Sequence, residues 1–211
     1  MKPSPEHTGY SEHSDLFIKL NEPISFEYLH KRILKYIPTS PTTVLDIGAG
    51  SGRDAAGLAR MGHSVYAIEP TVELLEYAKR EYHHLNINWI PDFLPELSYF
   101  KIQEAYFEFI LCHGVWQHII PESQIQALRR ISELLLPTGL FALSLRFGPS
   151  GLGSTNYLAN TEDTISEASK LGLNLVFKLE NQPSVIPGKP NVTWTRLVFR
   201  KTITGSPSKR A

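Results

Sequence analysis

The chain has 211 residues, and its 21 lysines and arginines are balanced by 21 aspartates and glutamates, a formal net charge of zero. That balance removes the positive field a bulk nucleic-acid binder uses, and the size fits one domain able to bury most of its unfolded surface. A single cysteine, Cys112, excludes an internal disulfide. It suits a reducing compartment; with no apolar run long enough to span a bilayer and no secretory leader after Met1-Lys2-Pro3, a soluble cytoplasmic protein is expected.

The first twenty residues are polar, with Tyr10, Phe17 and Ile18 scattered among them without clear periodicity. Between 23 and 37, Phe26, Leu29, Ile33 and Ile37 fall on one face of a predicted helix that Pro38 ends. Residues 1–38 form an N-terminal segment, 39–201 the main domain and 202–211 a frayed tail.

The most informative stretch is Val44-Leu45-Asp46-Ile47-Gly48-Ala49-Gly50-Ser51-Gly52-Arg53-Asp54. A short apolar strand ends at an acid, turns through three glycines and opens a helix over Ala55 to Met61. Glycines there adopt positive φ and admit a ligand with no Cβ in the way. The helix start aims unpaired N–H groups at the turn, which suits a partly anionic ligand. A dinucleotide site wants G-x-G-x-x-G, but here the spacing is G-x-G-x-G, with Arg53 where the last glycine would stand.

Gly62 supplies a C-cap, and Ser64 to Ile68 read as a second buried strand ending at Glu69 and Pro70. An acid about twenty residues past the glycine loop is placed to accept from ribose hydroxyls; otherwise it is an exposed strand end. A third strand, Ile87 to Ile90, ends at Pro91-Asp92-Phe93, and a fourth, Phe107 to Cys112, runs into His113-Gly114-Val115-Trp116-Gln117-His118. Pro121 starts a helix whose Ile125, Leu128, Ile131 and Leu135 form one apolar stripe before Pro137. Strand five, Leu140 to Phe147, follows Pro137-Thr138-Gly139. A helix capped by Thr161 buries Ile165, Ala168 and Leu171 and ends at Gly172. Leu175, Phe177 and Leu179 alternate as strand six, and a type II turn at Pro187-Gly188 leads into a last strand, Val192 to Lys201. Two strands so closely linked must pair antiparallel. Alternating strands and helices predict a doubly wound α/β sheet with ligands at the strand C-termini.

Taken as a set over residues 40–201, these motifs resemble the class I S-adenosylmethionine-dependent methyltransferases. The resemblance implies a Rossmann-like seven-stranded sheet, mostly parallel with the last strand antiparallel, and S-adenosyl-L-methionine as cofactor. It implies cofactor contacts at Asp46, Gly48, Ala49, Gly50, Gly52 and Arg53, with the methionine moiety over the loop. Glu69 and Pro70 would lie at the ribose, Asp92 at the adenine amino group, Phe93 on the ring, and His113 and Gly114 beneath the transferred methyl. The segment before the first strand would fold over the site as a lid, which makes Tyr10 a substrate-binding candidate.

Methyl transfer from a sulfonium is an in-line displacement, for which the protein aligns the acceptor, excludes water and, where needed, takes a proton. His113 and His118 are the candidate bases. Trp116 either walls the acceptor pocket or fills the core. Arg146, on one strand face with Ser144, could bind a carboxylate or phosphate, or form an internal ion pair. His-Gly-Val-Trp lacks the Asn/Asp-Pro-Pro-aromatic motif of amino-directed nucleic acid and protein glutamine enzymes. Cys112 is not preceded by proline as in cytosine C5 enzymes. His113 breaks the carboxylate pattern of metal-dependent catechol-type enzymes, and adjacent His83 and His84 cannot share a metal, so none is expected. A small-molecule acceptor remains by elimination. The alternatives are an S-adenosylmethionine-binding protein without transfer activity, acting as a sensor or partner subunit, and an NAD-dependent oxidoreductase.

Overall fold

A computed structural model describes residues 8–101, 103–152 and 154–203; the expected tail therefore lies largely outside the described residues, as do the first seven positions. Seven strands form one sheet: β1 (Thr43–Ile47), β2 (Ser64–Ile68), β3 (Ile87–Ile90), β4 (Phe107–Cys112), β5 (Leu135–Phe147), β6 (Leu173–Pro183) and β7 (Thr193–Lys201). Their order is β3-β2-β1-β4-β5-β7-β6. Strands β1 to β5 pair in parallel, and β7 inserts antiparallel between β5 and β6. The order reverses between β1 and β4, so their C-terminal ends diverge into a crevice.

The helices are α1 (Thr8–Glu12), α2 (Ser14–Asn21), α3 (Phe26–His30), α4 (Arg53–Arg60), α5 (Val72–Glu81), α6 (Pro121–Leu134) and α7 (Thr161–Lys170). Alternate strand residues feed two cores, as the period of two requires. Leu45, Ile110, Phe141 and Leu197 face one side with Leu128 and Ile131 of α6 and Ala168 of α7. Val44, Phe109, Ala142 and Val198 face the other with Leu58 of α4 and with Phe26, Ile33 and Ile37. The same alternation continued to the strand ends puts Asp46, His113, Ser144, Arg146 and Arg196 on that second side, as a polar cap at the crevice.

Several expectations about elements are corrected. The helix expected through residues 23–37 stops at His30 and tightens into a 3-10 turn over Leu34–Tyr36. Tertiary contacts override the pattern there: Phe26 seats on Gly57, which leaves no room for a side chain, and His30 is drawn to Asp54. The four apolar residues of the stripe are buried regardless. The helix after the glycine loop begins at Arg53 rather than Ala55. Asn160, not Thr161, caps α7, its side chain accepting from the N–H groups of Glu162 (3.0 Å) and Asp163 (3.2 Å). Ile125 is 44% exposed, and Ala127 and Leu134 take its place on the buried face of α6. Strand β5 starts at Leu135, with Leu136–Gly139 bulged out between the pairs Leu135–Phe107 and Leu140–Phe109. Gly188 has φ +78°, as a type II turn requires at its third position.

Candidate active site

A cavity of about 230 Å³ opens at the crevice, lined by the β1–α4 loop, the ends of β2, β3 and β4, and by Tyr10 of α1 and Phe17 of α2 from above. Of the residues expected at the cofactor, Gly48, Ala49, Gly50, Arg53, Glu69, Pro70, Asp92, Phe93, His113 and Gly114 all line it.

Glu69 is buried, and its two oxygens accept from the N–H of Gly50 (2.8 Å) and of Thr71 (2.8 Å). Each ionised oxygen keeps a further acceptor site, which a diol can use. Burial pushes its pKa up, against the pull of those two N–H groups. Asp92 is arranged in the same way: its oxygens accept from Phe93 N–H (2.9 Å) and Tyr99 N–H (2.7 Å). Both acids are therefore clamped by backbone before any ligand arrives.

Asp46 and Gly52 do not line the cavity. Asp46 lies beneath the loop and accepts from the backbone of Ala55 in the first turn of α4. Burial first, then the charge of Asp54, pushes its pKa well above the carboxylate range. Gly52 has φ +97°, and a Cβ there would lie 2.8–2.9 Å from Trp89, Ala78 and Tyr82. Gly48 likewise would drive a Cβ into Val115, and Gly50 would bring one to 3.1 Å from the Phe17 ring. The three glycines thus let the loop turn and let protein pack on it; of the three, only Gly50 points its open side toward a ring that itself lines the cavity.

Arg53 does not reach outward. Its Nε donates to Asp54 Oδ1 (2.8 Å) and Nη1 to the carbonyl of Asn21 (3.3 Å), tying the end of α2 to the start of α4. Asp54 also pairs with His30 Nε2 (2.9 Å). Burial alone would raise the Asp54 pKa, but Arg53 and then His30 outweigh it and hold the carboxyl well below its usual range.

The two candidate bases separate. His113 stacks on Trp194 (centroids 5.1 Å apart) and meets His30 edge-on (5.2 Å). Burial, then the charges of Arg196 and His30, press its pKa well below the ordinary value, so the ring is neutral. His118 sits in a fixed tautomer. Its Nδ1 faces the Thr155 carbonyl (3.1 Å), which can only accept, so Nδ1 carries the proton. In the neutral ring Nε2 is then the acceptor, with the Tyr10 hydroxyl oxygen and the Gln117 amide nitrogen each 3.0 Å away. The Tyr10 phenol is pushed up by burial, against the Ser154 hydroxyl and the Arg146 charge, and holds its proton.

Of the two readings of Trp116, its burial favours the core: it is fully buried and packs with α6. Arg146 does line the cavity, but Ser144 turns away to accept from Gly114 N–H (2.9 Å). Sequence reasoning missed Ser154, Asn156, Lys189 and Trp194, which reach the cavity from the segment after β5, from the loop between β6 and β7 and from the start of β7. No local pattern marks them; the loop after β5 and the antiparallel return of the last two strands bring them to the crevice. Among the described residues there is no cluster of three potential metal ligands, and no helix is long and apolar enough to cross a membrane.

Residues 44–139 match a family model described as a methyltransferase domain. Over those residues the chain is similar to a methyltransferase domain, and its sheet has the fold of solved S-adenosylmethionine-dependent methyltransferases. A TehB-like S-adenosylmethionine-dependent methyltransferase from Corynebacterium glutamicum shares the fold at a TM-score of 0.66, with 23% identity over 92% of this chain and 98% of that one. A Burkholderia thailandensis 1,6-didemethyltoxoflavin-N1-methyltransferase, solved with that compound and S-adenosylhomocysteine, gives 0.65, with 22% identity over 96% and 92%. A protein-L-isoaspartate O-methyltransferase from Hahella chejuensis is 29% identical over 63% of each chain. The chain spans from about a quarter to under two thirds of the length of the curated relatives it matches, 23% to 63%.

Proposed function

We propose that this protein transfers a methyl group from S-adenosylmethionine to a small-molecule acceptor. One observation carries the reading: a single cavity joins two backbone-clamped acids and the glycine loop at one end to the Tyr10–His118 pair and Arg146 at the other. When bound, the cofactor supplies an electrophilic methyl on a sulfonium. Glu69 would hold the ribose hydroxyls, Asp92 the adenine amino group, with Phe93 beside the ring. The Gly48–Ser51 turn would carry the methionine moiety, and His113, a neutral ring braced by Trp194, would shape the wall beneath.

At the acceptor end, Tyr10 and His118 form a proton path. As the acceptor loses its proton to the Tyr10 oxygen, the Tyr10 proton passes to Nε2 of His118. Nδ1–H stays on the Thr155 carbonyl, and the ring becomes an imidazolium. A small acceptor is supported by Tyr10 of α1 and Phe17 of α2, whose rings cover part of the cavity. The toxoflavin enzyme likewise acts on a small molecule, whereas the isoaspartate enzymes match over too little of their length to lend their acceptor.

Thermal unfolding with S-adenosylhomocysteine against NAD tests the cofactor. A ligand at about 100 times its Kd stabilises by about 2.7 kcal/mol, a rise of roughly 5–10 °C in Tm for a chain this size. A shift with NAD and none with the homocysteine would overturn the reading. A screen with labelled methyl donor then tests transfer; Tyr10→Phe and His118→Ala should each lower kcat by about 10²–10⁴ while leaving homocysteine affinity unchanged.

A further inference from the structure

Resting on that reading, we propose that the methyl acceptor carries an anionic group, a carboxylate or a phosphate, seated between Arg146 and Lys189 at the end of the cavity roofed by Tyr10. Arg146 leaves the C-terminal end of β5 and is only 9% exposed. Its Nη1 and Nη2 donate to the carbonyls of Gly148 (3.3 Å) and Pro149 (2.7 Å), and the Asn156 amide, turned with its oxygen inward, accepts from Nη1 at 2.7 Å. These partners are neutral. They aim the guanidinium fork but leave its charge uncompensated. Lys189, from the loop between β6 and β7, lines the same cavity and is half-buried. Burial and then the Arg146 charge depress its ammonium, so the two cations feel one another across the lobe.

Among the described residues, no acid of the cavity lies within ion-pair distance of Arg146 or Lys189. Asp54 holds Arg53 and His30, Glu69 is clamped by Gly50 and Thr71, and Asp92 by Phe93 and Tyr99. Two like charges brought out of water with no counter-charge are costly, and the chain as a whole has no excess of positive charge to account for them. An anion between them removes that cost. A guanidinium grips a carboxylate or phosphate with two parallel hydrogen bonds, and the ammonium adds a point charge. The acceptor's anionic end is thereby anchored on one side, which leaves its nucleophile to face Tyr10 and the methyl donor.

The test is an NMR titration of the full chain with acetate and, separately, with inorganic phosphate, each with and without saturating S-adenosylhomocysteine. At least one anion is expected to bind at the Ser154, Asn156 and Lys189 amides whether or not the homocysteine is present; the tighter of the two identifies the group. Arg146→Gln and Lys189→Gln should each weaken it about tenfold, and tetramethylammonium should not bind. Lys189→Gln lies on a half-exposed loop and serves if the Arg146 variant misfolds. Three results would overturn the proposal: no shift with either anion, binding indifferent to both substitutions, or binding abolished by the homocysteine, which would assign the pair to the cofactor's own carboxylate. Failure of the homocysteine itself to bind would strike the methyltransferase reading alone, because the anion arm is read without it.

Discussion

Glu69 shows how much one side chain is asked to do. Its oxygens hold the glycine loop through Gly50 and the start of α5 through Thr71, and the same carboxylate is the group proposed to meet the ribose. Glu69→Gln replaces one charged acceptor by an NH₂ that faces a backbone donor. Hydrogen bonds to charged groups are worth about 1.5–3 kcal/mol, so homocysteine affinity should fall by roughly ten- to a hundredfold by calorimetry. A change under threefold with the fold intact would remove Glu69 from the site. His113 makes a different prediction. Its pKa is depressed in the folded chain, chiefly by burial and then by Arg196 and His30. Below the ordinary histidine pKa of about 6.5 the unfolded chain takes up a proton that the folded one refuses, so stability is full above that pH and lost as pH falls below it. His63, also depressed by burial, adds in the same direction. Urea unfolding between pH 7 and 5 should therefore steepen in the parent relative to His113→Asn; parallel curves would show that the ring is protonated in place.

At the scale of elements, the glycine loop is built as much for packing as for a ligand. Gly52 at φ +97° has Trp89 of β3, Ala78 of α5 and Tyr82 pressed where a side chain would go. Gly52→Ala should cost at least about 1–3 kcal/mol in denaturant unfolding, from the left-handed backbone together with overpacking. A neutral substitution would mean that α5 can shift away. The N-terminal helices carry the opposite balance. No residue of α2 is buried, yet Phe17 and Tyr10 roof the cavity, and the pair is held by Tyr82 O–H to Glu22 (2.8 Å) and by Arg53 to Asn21. Removing residues 1–20 should leave Tm within a few degrees, on the order of 1 kcal/mol by the scale linking ΔΔG to Tm. The same truncation should abolish methyl transfer; unchanged kinetics would reject a roof that works as a lid.

For the whole molecule, the sheet is the frame on which distant loops meet, and its core is continuous through β5 and β7, where Phe141 stacks on Phe199 at 5.9 Å. Phe141→Ala should destabilise by about 3–5 kcal/mol in urea unfolding, with the homocysteine site weakened only in proportion to the unfolded fraction. The parallel strands, the antiparallel return and the crevice at the strand ends were legible from residues 44–201, because they follow from local signals: apolar runs of strand length, glycines at fixed offsets, and acids at strand ends. Those signals do not set the direction of a side chain. Asp46 and Gly52 carry the motif yet face protein, and Trp116 fills the core, since a type and a position do not say which way a side chain turns once neighbours compete for the space. The helix expected through residue 37 broke at His30 for the same reason. By itself, then, the order of residues determined the class of fold and the end of the sheet where the cavity opens, both being consequences of short-range periodicity. Only the tertiary structure decided that His118 rather than His113 faces Tyr10, and that Arg146 and Lys189 line one cavity: these pairs lie 43 or more positions apart in sequence, and only the closing of the sheet brings them to the same crevice.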